Sequence, residues 1–318
     1  MNGLAKISLL LVIVLVSLSA YLRLAHSGIG CADWPACYGL IGAPVSTSQA
    51  VTSESAYQRL TEEANKPLAW ATPLHRLVAS VLGLLVIFLV FLSLRQKRQR
   101  LLSLTLLGLT VFLAVLGIRS GSLHSPAVVM GNLAGGFAML GLLGWMVFSA
   151  TEPAPEVRQK SALKSMVIAA IAFLCLQIIL GGLTSANFAA TSCQTLPDCH
   201  GSWIPGSELL DAMDLSRQHQ VTSLGQAIGG KERLAIHKAH RLGALLAVAM
   251  VLIAAVVAIK SDQRYRLTGI IVLVLLLIEF TVGITAILTS LPIGLAVAHN
   301  WLAGLLLLAL LKLFALSR

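Results

Sequence analysis

Charge is scarce in this chain. Asp, Glu, Lys and Arg make up 11% of its 318 residues while 57% are hydrophobic, a balance that a water-soluble globule of this size could not hide. No run of the sequence is polar enough for a soluble domain or a low-complexity tail. Acidic residues are the scarcer sign, 13 against 23 basic, for a formal charge of +10. In a soluble protein that excess would suggest nucleic acid. Here the basic residues fall largely in short segments between apolar runs, where they orient helices, so no nucleic-acid partner is expected. Cysteine is rare, five in all, and no second ligand pair has the spacing of a zinc site. A signal-peptide cleavage site is missing too: Lys6 precedes an apolar run, but YLRLAHSG follows without a small-x-small pattern, so the run is read as a retained helix.

What the chain does have is apolar length. Runs at about 4–24, 69–94, 101–118, 126–150, 164–185, 236–259, 267–288 and 293–316 each suit a bilayer-spanning helix. The basic connections, RQKRQR at 95–100, Arg158, Lys160 and Lys164, and KSDQRYR at 260–266, all fall on one side. That side is predicted to be cytoplasmic, with both termini inside and the long loops 25–68 and 186–235 facing the periplasm.

The two halves of the sequence repeat one another. Each has a cysteine loop, CADWPACYG with Cys31 and Cys37 or CQTLPDCHG with Cys193 and Cys199, and each has an HR pair, His75-Arg76 or His240-Arg241. From Cys31 to His75 is 44 residues and from Cys193 to His240 is 47, and each HR pair opens an uncharged run of 18 residues, Leu77–Leu94 and Leu242–Ile259. Such a run covers about 27 Å as a helix. Four helices repeated after four preserve orientation, so the repeat is parallel. The expected fold is an all-α integral membrane protein, with eight transmembrane helices forming two parallel-repeat four-helix bundles, 1–160 and 161–318.

On the outward side each cysteine pair reads first as a structural disulfide and second as a redox-active pair. Cys175, inside the fifth span, reads as a small apolar side chain. Of eight histidines, His26, His124, His200, His219 and His237 lie in or near the outer loops, where solvation is the default. His75, His240 and His299 sit at the ends of spans. His299, in AVAHNWLAG, falls near the depth of His240 in the same half. Two imidazoles so placed can hold a flat macrocycle as a bis-His haem, with Arg241 beside a propionate; a mutually satisfied histidine pair is the plainer alternative. The second and fourth spans offer an equivalent place with His75-Arg76, but the position matching His299 is Gly131-Asn132. Glu279, in LLLIEFTVG, is the one carboxylate deep in an apolar span, read as hydrogen-bonded within the bundle or as a proton carrier.

Taken together, YLRLAHSGIGCADWPACYG, LHRL, GGLTSANFAATSCQTLPDCHG, IHKAHRLGA and AVAHN resemble the haem A synthase family of cytochrome oxidase assembly enzymes over nearly the whole chain. The resemblance implies an inner-membrane oxidoreductase that turns a methyl group of haem O into a formyl group. It further implies haem b between His240 and His299, with iron as the bound metal, and substrate haem at His75 and Arg76. Haem O synthase, oxidase assembly factors and membrane lipid are the partners it implies. The family's catalytic Glu falls at Thr72, followed by Pro73, a pair that reads as an N-cap and first helical residue; nearby Glu62 and Glu63 read as solvated loop residues. Two other classes compete: a haem-binding relative without the chemistry, and a membrane thiol-disulfide oxidoreductase. A transporter gains little, because no substrate-charge constellation and no interrupted helix is visible.

Overall fold

In the computed structural model the described residues are 1–26, 70–119, 126–151, 161–187, 189–190, 192–193, 195–215 and 230–318. They hold eight long helices: α1 Asn2–His26, α2 Ala71–Gln96, α3 Arg100–Arg119, α4 Pro126–Thr151, α5 Ser161–Ala186, α6 Lys231–Lys260, α7 Gln263–Leu288 and α8 Ile293–Leu316. All eight contain a stretch long and apolar enough to cross a membrane. A five-residue helix, Glu208–Ala212, lies in the loop before α6. The protein is an integral membrane protein of the all-helical class. Cys31, Cys37, Glu62, Glu63, His124 and His219, and the side chain of His26, lie outside the described residues.

The outward faces follow from the solvent they meet. Leu84 and Phe88 on α2, Val111 and Val115 on α3, and Ile271, Val274 and Leu277 on α7 are exposed, which in water would drive aggregation and in lipid carries no penalty. The helices end where the backbone is forced to turn. Lys97, at φ 54°, closes α2 with its N–H on the Ser93 carbonyl, and the Asp262 side chain caps α7 by accepting from the Arg264 N–H at 3.0 Å. Ser290 and Leu291, both at positive φ, and Pro292 make the turn into α8.

Packing partners close two rings. In the first, α1 meets α2, α2 meets α3, α3 meets α4 and α4 returns to α1; in the second, α5, α6, α7 and α8 do the same. Helices α6 and α8 therefore stand diagonally across their ring, leaving room between them. The rings meet where α8 packs on α1 and α4, and α4 on α5. Leu140, Leu143 and Met146 of α4 and Leu306, Leu310 and Leu313 of α8 are fully buried at this seam.

Two helix starts differ from the sequence reading. Helix α2 begins at Ala71 with Trp70 at its cap and no side-chain cap bond, so Thr72 is not the N-cap and Pro73 is the third helical residue. Proline is tolerated there because first-turn N–H groups have no acceptor within the helix. Helix α6 begins at Lys231, ahead of the apolar run, and carries His237 with it; that side chain is 3% exposed rather than solvated.

At the seam, a Cβ placed on Gly144 would come within 2.5 Å of Leu308. Gly144→Val is expected to lower stability by about 1–3 kcal/mol, measured as a lower thermal midpoint of helical circular dichroism in detergent. Gly108→Val, where an added Cβ meets nothing within 4 Å, should leave the midpoint nearly unchanged.

Candidate functional site

A cavity of about 350 Å³ opens within the second ring, a volume in the range of small-molecule and cofactor sites. Its wall is mostly apolar, with Leu174, Ile178, Val248, Val251 and Leu276 from the ring itself and Leu133 and Phe137 from α4. His240 on α6 and His299 on α8 both line it, from diagonal helices. The depth match read from the sequence thus becomes a shared cavity.

Each imidazole lies against a glycine of a neighbouring helix. A Cβ on Gly181 of α5 would stand 3.2 Å from His240 Cε1, and one on Gly283 of α7 would stand 3.0 Å from His299 Cε1. A side chain at either glycine would require the ring beside it to shift by a few tenths of an ångström. Gln177, an amide in an otherwise apolar stretch of α5, fills the space left by Gly243. Its Nε2 donates to the His240 carbonyl at 3.1 Å and lies 3.0 Å from His240 Nδ1. Glu279 Oε1 is 3.2 Å from His299 Nδ1, within pairing distance though off the line of a good hydrogen bond. Both histidines therefore have a polar neighbour at Nδ1, the usual way of fixing the ring and leaving Nε2 for a metal.

Arg241 is placed differently from the sequence reading. Its guanidinium is buried and donates to three backbone carbonyls of the cysteine loop, Thr195 at 2.6 Å, Asp198 at 2.8 Å and Cys193 at 2.7 Å. The Cys193–Cys199 disulfide closes that loop, and reciprocal backbone bonds between Cys199 and Ser202 tighten it. Gly201, at φ 80°, makes the reversal. Ser192 Oγ ties the loop to the first turn of α6 through the Arg233 carbonyl at 3.1 Å. Leu196, Pro197 and Trp203 of the loop then cover part of the cavity. Val129, Met130, Leu183 and Ile236 form the apolar base under it.

Residues not singled out from the sequence also reach the wall: Gln177, Arg23 of α1, and His237 one turn before His240. Among the described residues, eight buried side-chain polar atoms lack a hydrogen-bond partner, and six belong to cavity residues: Gln177, His237, Arg241, Glu279, His299 and Asn300. Each such atom costs about 1–3 kcal/mol, so their concentration here marks a place shaped by something other than stability. Two imidazoles on one cavity, an apolar wall and unpartnered polar atoms fit an iron porphyrin. In the first ring, His75 is half-buried and Arg76 exposed. Gly131 packs toward Leu116 of α3, and Asn132 is half-buried beside it on α4. Cys175 is a free thiol packed on the core, and His200 is exposed.

Residues 3–311 match the COX15-CtaA model, described as a cytochrome oxidase assembly protein. The chain is 34% identical to a protein named haem A synthase from Shewanella oneidensis, over 98% of this chain and 95% of that one. Proteins of the same name from Neorickettsia sennetsu and Halalkalibacterium halodurans are 28% and 24% identical, covering 95% and 93% of this chain and 94% and 89% of theirs.

Arg241→Gln removes a guanidinium that makes three loop contacts. It is expected to cost about 1.5–3 kcal/mol and to speed both proteolysis within 192–204 and reduction of the Cys193–Cys199 bond. Limited proteolysis and thiol labelling of the full chain would read both effects.

Proposed function

The chain belongs to the COX15-CtaA family of cytochrome oxidase assembly proteins, and on that premise we propose that it is the inner-membrane oxidoreductase that converts haem O to haem A. The observation that carries this reading is the cavity between His240 and His299, with Gly181 and Gly283 behind the two rings. In this proposal His240 and His299 would hold the iron of a haem b cofactor, which would supply a one-electron redox centre when bound. For ligation through Nε2, Nδ1 must carry the proton and donate it. Glu279 is an acceptor at His299. At His240 the polar neighbour is the Gln177 side-chain amide, whose Nε2 lies 3.0 Å from Nδ1 and also donates to the His240 carbonyl.

The division of labour follows the sequence duplication. Residues 161–318 hold the cofactor, and residues 1–160 receive haem O at His75 and Arg76. The cysteine loops face the periplasm, and haem O synthase and oxidase assembly factors are the partners. Thr72 in place of the family's Glu and Asn132 near the place of a second histidine favour one other reading, a haem-binding assembly protein without the chemistry. A missing acid or base lowers a rate by a factor of about 10² to 10⁴, so the native chain is expected to be slow.

The test is co-expression with a source of haem O, followed by extraction and chromatography of the haems. Haem A above the level of a His75→Ala control is expected, rising in the Thr72→Glu, Asn132→His double variant. Haem A at the control level in both would assign the chain to the second reading.

A further inference from the structure

We infer that Arg23, near the C-terminal end of α1, is the anion-binding residue of the second ring's cavity and takes a carboxylate of the ligand held there. The inference rests on the haem reading above and deepens it, because it assigns the cofactor's acidic edge to a residue of the other half of the chain.

Arg23 lines the cavity although α1 belongs to the first ring. Among the described residues its hydrogen bonds run to neutral oxygens: Nε donates to Ser185 Oγ of α5 at 2.9 Å, and Nη2 to Asn300 Oδ1 of α8 at 3.1 Å. A guanidinium has five N–H donors, so these bonds leave capacity unused. Among the described residues Glu279 is the only acid on the wall, and its Oε1 is turned to His299. Among the described residues the half-buried Arg23 charge thus has no opposite charge beside it, an expensive arrangement at an apolar wall unless a ligand supplies one.

The surroundings select the ligand's chemistry. Asn300 already accepts from Arg23 with its oxygen, and its Nδ2 is buried without a partner; both groups therefore present donors, which suits an oxyanion and disfavours a cation. A carboxylate matches the planar fork of the guanidinium. Asn300 directly follows His299 on α8, and both line the same cavity. Arg241, the cation closer in sequence to His240, is already engaged by three loop carbonyls. The structural consequence is that α1 closes a site whose iron ligands sit on α6 and α8, coupling the first ring to occupancy of the second.

A propionate of the macrocycle and the phosphate of a lipid headgroup share this oxyanion chemistry, and the experiment separates them. The full chain, produced without haem and purified in detergent, is titrated with protohaem and with protohaem dimethyl ester, and absorbance reads both affinity and the low-spin spectrum. The wild type is expected to bind protohaem roughly ten- to a hundredfold more tightly than the ester. Arg23→Gln should lose that preference while keeping its ester affinity and low-spin spectrum. Arg23→Lys should recover part of it. Because the wild-type comparison needs no variant, a preference near unity there overturns the inference even if Arg23→Gln fails to fold. An undiminished preference in Arg23→Gln overturns it too, as does loss of co-purifying phospholipid from that variant with the haem preference intact. Absence of low-spin binding of either macrocycle by the wild type would instead remove the haem reading on which the inference stands.

Discussion

Inside a lipid-embedded bundle a polar side chain has no water to fall back on, and it must find a partner or be present for a ligand. In the second ring that constraint organises everything near the cavity. Arg241 donates through its two Nη atoms to the carbonyls of Cys193, Thr195 and Asp198, which fixes the disulfide loop against α6. Gln177 and Glu279 lie at Nδ1 of the two cavity histidines. What is left unpaired belongs mostly to the same wall. The apolar exterior needs only lipid, so the specificity of this half resides in a handful of buried polar contacts.

Those contacts also explain how the rings depend on one another. The seam between α4 and α8 is an ordinary apolar interface of leucines and Met146, but Arg23 crosses from α1 to α5 and α8 with charge-assisted hydrogen bonds. Leu133 and Phe137 of α4 complete the wall from the same side. The two Arg23 bonds tie α1 of the first ring to two helices of the second.

Much of this was legible in the sequence, for identifiable reasons. Eight apolar runs specify eight helices because bilayer thickness admits few alternatives. His240 and His299 could be paired because two helices of known length place them at one depth. The role of Arg241 was hidden, since its partners are backbone carbonyls and those carry no side-chain signature. His237 was misplaced because KERLAIHK is polar enough to resemble a loop, although it forms the first turns of α6. Gln177 could have been found as the lone amide in FLCLQIILGG, whereas Arg23 gave only the general hint of a cation at a helix end. The glycines behind the rings, Gly181 and Gly283, needed the coordinates, because close approach between helices depends on which faces meet.

The central claim is that His240 and His299 together hold one iron porphyrin. Optical and paramagnetic resonance spectra of the purified chain test it most directly, beside His240→Ala, His299→Ala and His75→Ala. A low-spin bis-imidazole signal is expected in the wild type and in His75→Ala, with its loss or conversion to high spin in the other two. An unchanged bis-imidazole spectrum in His240→Ala or His299→Ala would contradict it.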